Sequence, residues 1–254
     1  MKRIILFFVL VTLVSSCNKK KVFDGPNYYA DGFENYSTKE DLFIDDNVLW
    51  SFNQLTIAEN TITVDSSFSH SGTKSLLFFA KKSEDKSVSK CSISKQFMAF
   101  WEGETMRTSA WYYIDGTQSL QWMFLMDLEE QAAIGAGPGM RLALVDNLLR
   151  VEHKFNEKDI IQSSETAQEF PRNQWVHVVF EIKLSQKHKG SVKVWQNGQL
   201  VISAEKRRTL PKDLLYFQQG TKGGYNSCEV GITANSSNND LRMWVDDVVF
   251  EKVD

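Results

Sequence analysis

Ionisable and aromatic side chains gather on one face of two short alternating segments. In 175–183 one set is Val176, Val178, Phe180 and Ile182, and the other is Trp175, His177, Val179, Glu181 and Lys183. Successive side chains of a strand point to opposite faces, so the aliphatic set belongs in a core. In the following segment Val192 and Val194 share one face, and Lys193 and Trp195 share the other. His177, Glu181, Lys193 and Trp195 then meet on an exposed, concave sheet. There a histidine can take a proton, a lysine can neutralise an anion, and a tryptophan can stack on a ring. Trp195 and Trp244 fit such a platform and fit a buried core equally well. His153, in the alternating run 150–154, reads as a proton-transfer group or as a solvated histidine. Tyr225 follows Gly223-Gly224 and is expected to be exposed. Tyr216 suits a site or a core. Glu129-Glu130 reads as a solvated turn rather than a catalytic pair. A retaining glycosidase needs carboxyl groups about 5 Å apart, and the Glu-x-Asp-x-x-Glu spacing that provides this is absent.

Many short strands must position these groups. Residues 76–79, 88–97, 108–114, 122–128, 140–145, 148–155, 175–184, 191–196, 200–204, 229–234 and 241–251 are apolar or alternating. Turn residues punctuate them at 115–116, 135–139, 146–147, 197–198, 223–224 and 236–240. Regular short strands with turns imply a sandwich or barrel. Asn197-Gly198 between alternating runs suits a type I′ hairpin, whose two central residues need positive φ. Only 39–46 reads as a short helix, and no internal repeat is visible.

Composition narrows the class. The 254 residues carry a net charge of −3, 12% aromatics, seven Trp and only four Pro, so no Pro-rich linker divides the chain. No basic arm longer than Lys19-Lys20-Lys21 exists, which excludes a nucleic-acid protein on composition. Cys91 and Cys228 read as a disulfide or as two buried thiols. Neither has a Cys or His at zinc-ligand spacing.

The chain begins with Lys2 and Arg3, then an apolar run over 4–14. A spanning helix needs about 20 such residues, so this run has the length of a signal peptide instead. Val14-Ser15-Ser16-Cys17 resembles the lipobox of bacterial lipoproteins. The resemblance implies cleavage after residue 16, lipid on Cys17, a tether over 17–28 and a domain over 29–254. Loss of Lys2 and Arg3 takes the net charge from −3 to −5. Asn18, rather than Asp, follows the cysteine, which favours the outer membrane, on its periplasmic or its outer side. Membrane contact is expected through the lipid alone.

Residues 137–203 resemble the concanavalin-like jelly rolls of polysaccharide lyases, a group that includes glucuronan, heparin and alginate lyases. The resemblance rests on Pro138-Gly139-Met140-Arg141-Leu142-Ala143-Leu144, on Asn173-Gln174-Trp175-Val176-His177-Val178-Val179, and on Gly190-Ser191-Val192-Lys193-Val194-Trp195-Gln196-Asn197-Gly198. Tyr216-Phe217-Gln218-Gln219-Gly220 with Tyr225-Asn226 resembles that group's Tyr-Phe-Lys-x-Gly segment and nearby Tyr. It implies an all-β, concanavalin A-like jelly-roll β-sandwich of two antiparallel sheets. The flanks, Gly32-Phe33-Glu34, Ser69-His70-Ser71-Gly72-Thr73-Lys74-Ser75-Leu76 and Val245-Asp246-Asp247-Val248, resemble jelly-roll carbohydrate-binding modules. In those modules a Glu near the first strand and an Asp of the last often hold a structural Ca²⁺. That resemblance implies Glu34, Asp246 and Asp247 as ligands; the alternative is two solvated carboxylates on an edge strand.

Uronate lyases run β-elimination. A cation or polar group neutralises the C5 carboxylate, a His or Tyr removes the adjacent proton, and a Tyr or water protonates the leaving oxygen. Tyr225, Tyr216, His177, His153 and Lys193, or Lys90, are the candidates here. Two usual parts are missing: the early strand reads Lys90-Cys91-Ser92-Ile93-Ser94-Lys95 instead of Arg-x-Glu, and Phe124-Leu125-Met126-Asp127-Leu128 lacks the usual His. Three functions follow. The first is a lipoprotein that binds a polysaccharide, acidic or not, through Trp195, Trp175, Lys193, Glu181 and Tyr225. The second is a lyase acting on a uronic-acid polymer. The third is a structural or adhesion module without a sugar ligand.

Overall fold

Each alternating segment read from the sequence contributes a strand. A computed structural model describes residues 19–84, 87–132, 135–155, 157–211 and 220–253, without the side chains of 131–138. Cys17 and Tyr216 lie outside the described residues. The strands begin with β1 (Tyr28–Asp31), β2 (Phe52–Leu55), β3 (Thr61–Asp65), β4 (Ser75–Ala80), β5 (Ser89–Lys95) and β6 (Phe100–Trp101). Then come β7 (Thr105–Ile114), β8 (Trp122–Ala132), β9 (Gly135–Val145), β10 (Leu148–His153), β11 (Ile160–Ile161) and β12 (Trp175–Lys183). The last are β13 (Gly190–Gln196), β14 (Gln199–Arg207), β15 (Gly224–Tyr225), β16 (Ser227–Asn235) and β17 (Leu241–Lys252). One 3₁₀ turn, Glu40–Phe43, falls in the stretch expected to be helical.

Two antiparallel sheets form the sandwich. One runs β14-β13-β12-β7-β17-β4-β3, with β1 also on β17; the other runs β11-β10-β9-β8-β16-β5-β2. β15 and β6 make a separate two-stranded ribbon at one end. Val176, Val178, Phe180, Ile182, Val192 and Val194 are buried, as alternation requires. Leu142, Leu144, Leu128, Val230 and Ile93 of the second sheet are buried in the same core. Asn197 and Gly198 have φ of 50° and 78°, the backbone a type I′ turn needs.

The two sheets differ on their outer faces. Along β7 and β12 buried residues alternate with half-exposed ones. β16 is buried at all nine positions, and β5 at six of seven. The outer face of the seven-stranded sheet is therefore recessed, and it can hide polar side chains.

Three expectations need correction. The 135–139 glycines open β9 instead of forming a turn. A Cβ on Gly139 would stand 1.6 Å from the Leu128 carbonyl oxygen, so only glycine lets β9 close on β8 here. The carboxylates Asp246 and Asp247 sit on β17, which is flanked by β7 and β4 and is not an edge. Cys91 and Cys228 are free and buried. Cys91 lies opposite Ile232, while Cys228 lies opposite Lys95. That four-residue offset is about 13 Å along a strand, well beyond a disulfide's reach of about 7 Å between Cα atoms. Burial pushes the Cys91 thiol up to about 12. A thiol reagent is therefore expected to find neither cysteine in the native domain and both after denaturation. A reductant should leave the melting temperature unchanged.

Candidate functional site

Strand register builds an ionic row across the recessed face. Glu229 on β16 lies opposite Asp127 on β8. Asp127 lies opposite Arg141 on β9, and Arg141 opposite Glu152 on β10. Beside this row, Ser227 lies opposite Glu129 and Glu129 opposite Gly139. Lys154, just past β10, donates its backbone N–H to the Gly139 carbonyl at 2.8 Å. That bond brings the lysine side chain alongside Glu129.

The contacts are those of a charge network. Lys154 Nζ donates to Glu129 Oε1 and stands 3.7 Å from Asp127 Oδ2. Arg141 Nε lies 3.4 Å from Asp127 Oδ1, and its guanidinium covers the Phe124 ring at 4.3 Å. Ser92 donates to Glu229 Oε1, and the Ser94 and Ser227 hydroxyls are 3.1 Å apart. One oxygen of each carboxylate, Asp127, Glu129 and Glu229, lies within 4.8 Å of the others. Among the described residues this is the group that could hold a metal ion, but the Lys154 ammonium already stands against two of its members. Burial pushes Glu229 up to about 7, with Asp127 adding to the shift. Burial also raises Asp127, against the pull of Lys154 and Arg141. Like carboxylates this close cannot all ionise freely.

The residues expected from sequence are distributed differently. Trp175, His177, Glu181, Lys193 and Trp195 share the outer face of the eight-stranded sheet. Glu181 there accepts from Arg107 at 2.7 Å. His177 stacks on Trp111 at 4.9 Å between centroids, and burial lowers its pKa. The other face of Trp111 is taken up by His70, at 3.6 Å. Trp175 is stacked by Phe68 at 5.4 Å, and Trp244 donates to Asp65 at 2.8 Å. The 66–74 loop thus occupies aromatic rings expected to receive a ligand. Tyr225 does not join them. It is fully buried, not exposed, and its hydroxyl donates to the Thr209 carbonyl at 2.6 Å. Its burial follows from pairing with the core residue Phe100 across the β15–β6 ribbon. His153 lies opposite the core residue Met140, on the side of β10 away from Glu152. Glu129 and Glu130 are strand residues, not a solvated turn. A register shift at 129–131 buries Glu130, and burial pushes it up to about 8.

Glu34, Asp246 and Asp247 surround the same loop. Glu34 accepts from the Thr73 N–H, the Thr73 hydroxyl and the Lys74 N–H at 2.7–2.9 Å. Asp246 accepts from the backbone N–H groups of His70, Ser71 and Asp247 at 2.8–3.1 Å. Asp247 binds the His70 ring and the Ser71 hydroxyl. All six carboxylate oxygens therefore hold protein hydrogen bonds. A calcium ion there would have to displace several of them.

Asp127, Arg141, Lys154 and Glu229 were not among the site residues expected from sequence, and Glu129 was read as part of a turn. Their signal was present: Met126-Asp127-Leu128-Glu129 and Cys228-Glu229-Val230 put carboxylates in strict alternation with core residues.

A polysaccharide lyase family model matches residues 31–249. The chain belongs to the polysaccharide lyase family. A prokaryotic membrane lipoprotein lipid attachment site matches residues 1–18, which identifies a membrane-anchored protein of the cell envelope. Comparison with curated proteins gave no match. Among solved structures, the endo-β-1,4-glucuronan lyase of the fungus Trichoderma reesei is similar, with a TM-score of 0.61 at 15% identity over 80% of this chain and 90% of that one. A marine alginate lyase from Aplysia kurodai gives 0.53 at 15% identity, over 82% and 94%. Another alginate lyase, bound to an alginate tetrasaccharide with one lysine and one tyrosine replaced by alanine, gives 0.57 at 11%, over 90% and 98%. These neighbours share the jelly-roll sandwich of this lyase-family chain.

Two tests follow for this family member. Exposed glutamate titrates near 4.5, so the raised value makes protonated Glu229 the stable folded form. Its contribution is intact below about pH 4.5 and is lost as pH rises through about 7. Glu229→Gln is thus expected to gain on the parent over that range, by on the order of 1–3 kcal/mol. Thermal melts at stepped pH measure this, and parallel profiles would contradict it. At the loop, Asp246→Ala should cost about 1–3 kcal/mol by orphaning backbone donors. A chelator should leave the melting temperature unchanged; a fall would assign calcium to Glu34, Asp246 and Asp247.

Proposed function

We propose that this protein is a membrane-anchored, polysaccharide-binding member of the lyase family that holds its glycan against the recessed face. The observation that carries this reading is the pairing of two of that face's cations, Arg141 and Lys154, with its own carboxylates. Arg141 is engaged by Asp127, and Lys154 by Asp127 and Glu129. β-Elimination needs a cation to neutralise the substrate carboxylate and a base within hydrogen-bond reach. Strands β5, β8, β9, β10 and β16 contain no tyrosine, and their one histidine, His153, is on the opposite side from the ionic row. Neighbouring serines, carboxylates and guanidinium groups are well suited to bond sugar hydroxyls. Uronic-acid polymers are the first ligands to test, because the named neighbours act on glucuronan and alginate. Asn18 after the lipid-bearing cysteine supports placement in the outer membrane.

Cleavage is the second reading, and Glu229 favours it. A carboxyl pushed up to about 7 is matched to proton transfer near neutral pH.

The decisive experiment incubates the processed chain, residues 17–254, with polyglucuronate, alginate and a neutral glucan. Retarded migration in a gel containing a uronic polymer is expected, with no ultraviolet absorbance from unsaturated chain ends. Absorbance that appears with the parent and vanishes in Glu229→Gln would replace binding by lyase action. No retardation with any polymer would favour a structural or adhesion role.

A further inference from the structure

The chain just beyond the anchor cysteine is docked on the domain from Lys19 onward. The Lys20 N–H donates to the Gly220 carbonyl at 3.0 Å, and the Lys222 N–H to the Lys20 carbonyl at 2.8 Å. Phe23 stacks on Trp101 with centroids 4.1 Å apart, and the Lys21 ammonium lies 5.4 Å from the same ring. Lys19 donates to Glu102 at 2.9 Å and also to Gln186. Farther along, the Ala99 N–H donates to the Pro26 carbonyl at 2.9 Å. Backbone, aromatic and ionic contacts together fix the segment.

Docking builds a cavity of about 510 Å³ at this end of the sandwich. Five lysines line it, Lys19, Lys21, Lys187, Lys189 and Lys222, against one carboxylate, Glu102. Lys187 and Lys189 are exposed. Such a concentration of ammonium groups calls for an anion, and a lysine binds phosphate as a point charge. Cys17 sets where the cavity sits. Lys19 is two residues from it, at most about 7 Å of extended chain. That is within the Debye length of about 8 Å at physiological salt. The headgroup layer is itself about 5–8 Å deep on each side of the hydrocarbon.

We propose that this lysine cavity binds the phosphates of anionic lipid headgroups, giving the domain a second membrane contact beside its acyl chains. The contact holds this end of the sandwich against the bilayer. It rests on lipid at Cys17 and not on the glycan reading.

The test uses the processed chain with Cys17→Ser, which carries no acyl group. It is sedimented with phosphatidylglycerol–phosphatidylcholine vesicles and with phosphatidylcholine vesicles alone. Binding is expected only to the first, weakening as salt rises. The triple variant Lys187→Gln, Lys189→Gln, Lys222→Gln should bind roughly a hundredfold more weakly, at about fivefold per lysine, with its melting temperature retained. Equal binding by parent and triple variant, or no vesicle binding by the parent, would overturn the proposal. Loss of vesicle binding in millimolar inorganic phosphate at constant ionic strength would assign the cavity to a soluble anion instead. Loss of uronic-polymer retardation in the triple variant, with vesicle binding intact, would assign it to the glycan.

Discussion

A carboxylate taken out of water must find a cation, a hydrogen-bond donor or a proton. The recessed face is organised by that requirement. Asp127 is 3% exposed and has Arg141 and Lys154 beside it. Glu229, equally enclosed, has the Ser92 hydroxyl and a raised pKa. Each solution depends on register. A one-residue slip of β8 would turn Asp127 into the core and Leu128 out of it. Removing one partner of a buried pair leaves the other charge uncompensated, which costs far more than the pair contributes. Glycine at 139 enters the same constraint, because it sets the β8–β9 approach that aligns Asp127 with Arg141.

The two outer faces meet different demands. On the eight-stranded sheet the 66–74 loop lies over the aromatic side chains, with Phe68 on Trp175 and His70 on Trp111. Asp246, Asp247 and Glu34 fasten that loop through its backbone and hydroxyl groups. Trp111, Trp175 and Trp244, which make this face attractive as a sugar platform, therefore serve the protein's own packing. On the other sheet the polar groups are brought together by strand register. The family fold accommodates both arrangements because strand alternation gives every sheet an inner and an outer set of side chains. Function then depends on the residues placed in the outer set.

Much of this fold was legible because alternation is local. Val176, Val178, Phe180 and Ile182 announce their strand and its core face without any partner strand. The short strands β2, β3 and β11 were not legible. They are sheet edges, and pairing with one neighbour defines them more than composition does. The candidate site was harder for the same reason. Asp127 and Glu229 are 102 residues apart in sequence, and only the β8–β16 register makes them neighbours. Tyr225 misled because Gly223-Gly224 has the composition of an exposed turn. The chain there instead pairs with Phe100 and Trp101 and turns the ring inward. The cysteines stayed open between a bridge and two buried thiols because even number and export permit a bridge; only strand offset decides for the thiols.

The docked segment links these faces to the membrane. β7, β13 and β16 begin at the end where Lys19–Phe23 lies, and β5, β12 and β14 finish there. With the domain held by that end, its strands rise from the bilayer. The ionic row crosses β16, β8, β9 and β10 at right angles to the strands, so it runs parallel to the membrane. Glu229 is the third residue of β16, about 7 Å into the strand from its membrane end. A polymer lying along the row would therefore extend sideways over the lipid surface, close to it, with both ends free to continue beyond the protein. That geometry suits retention of a long chain at the cell envelope.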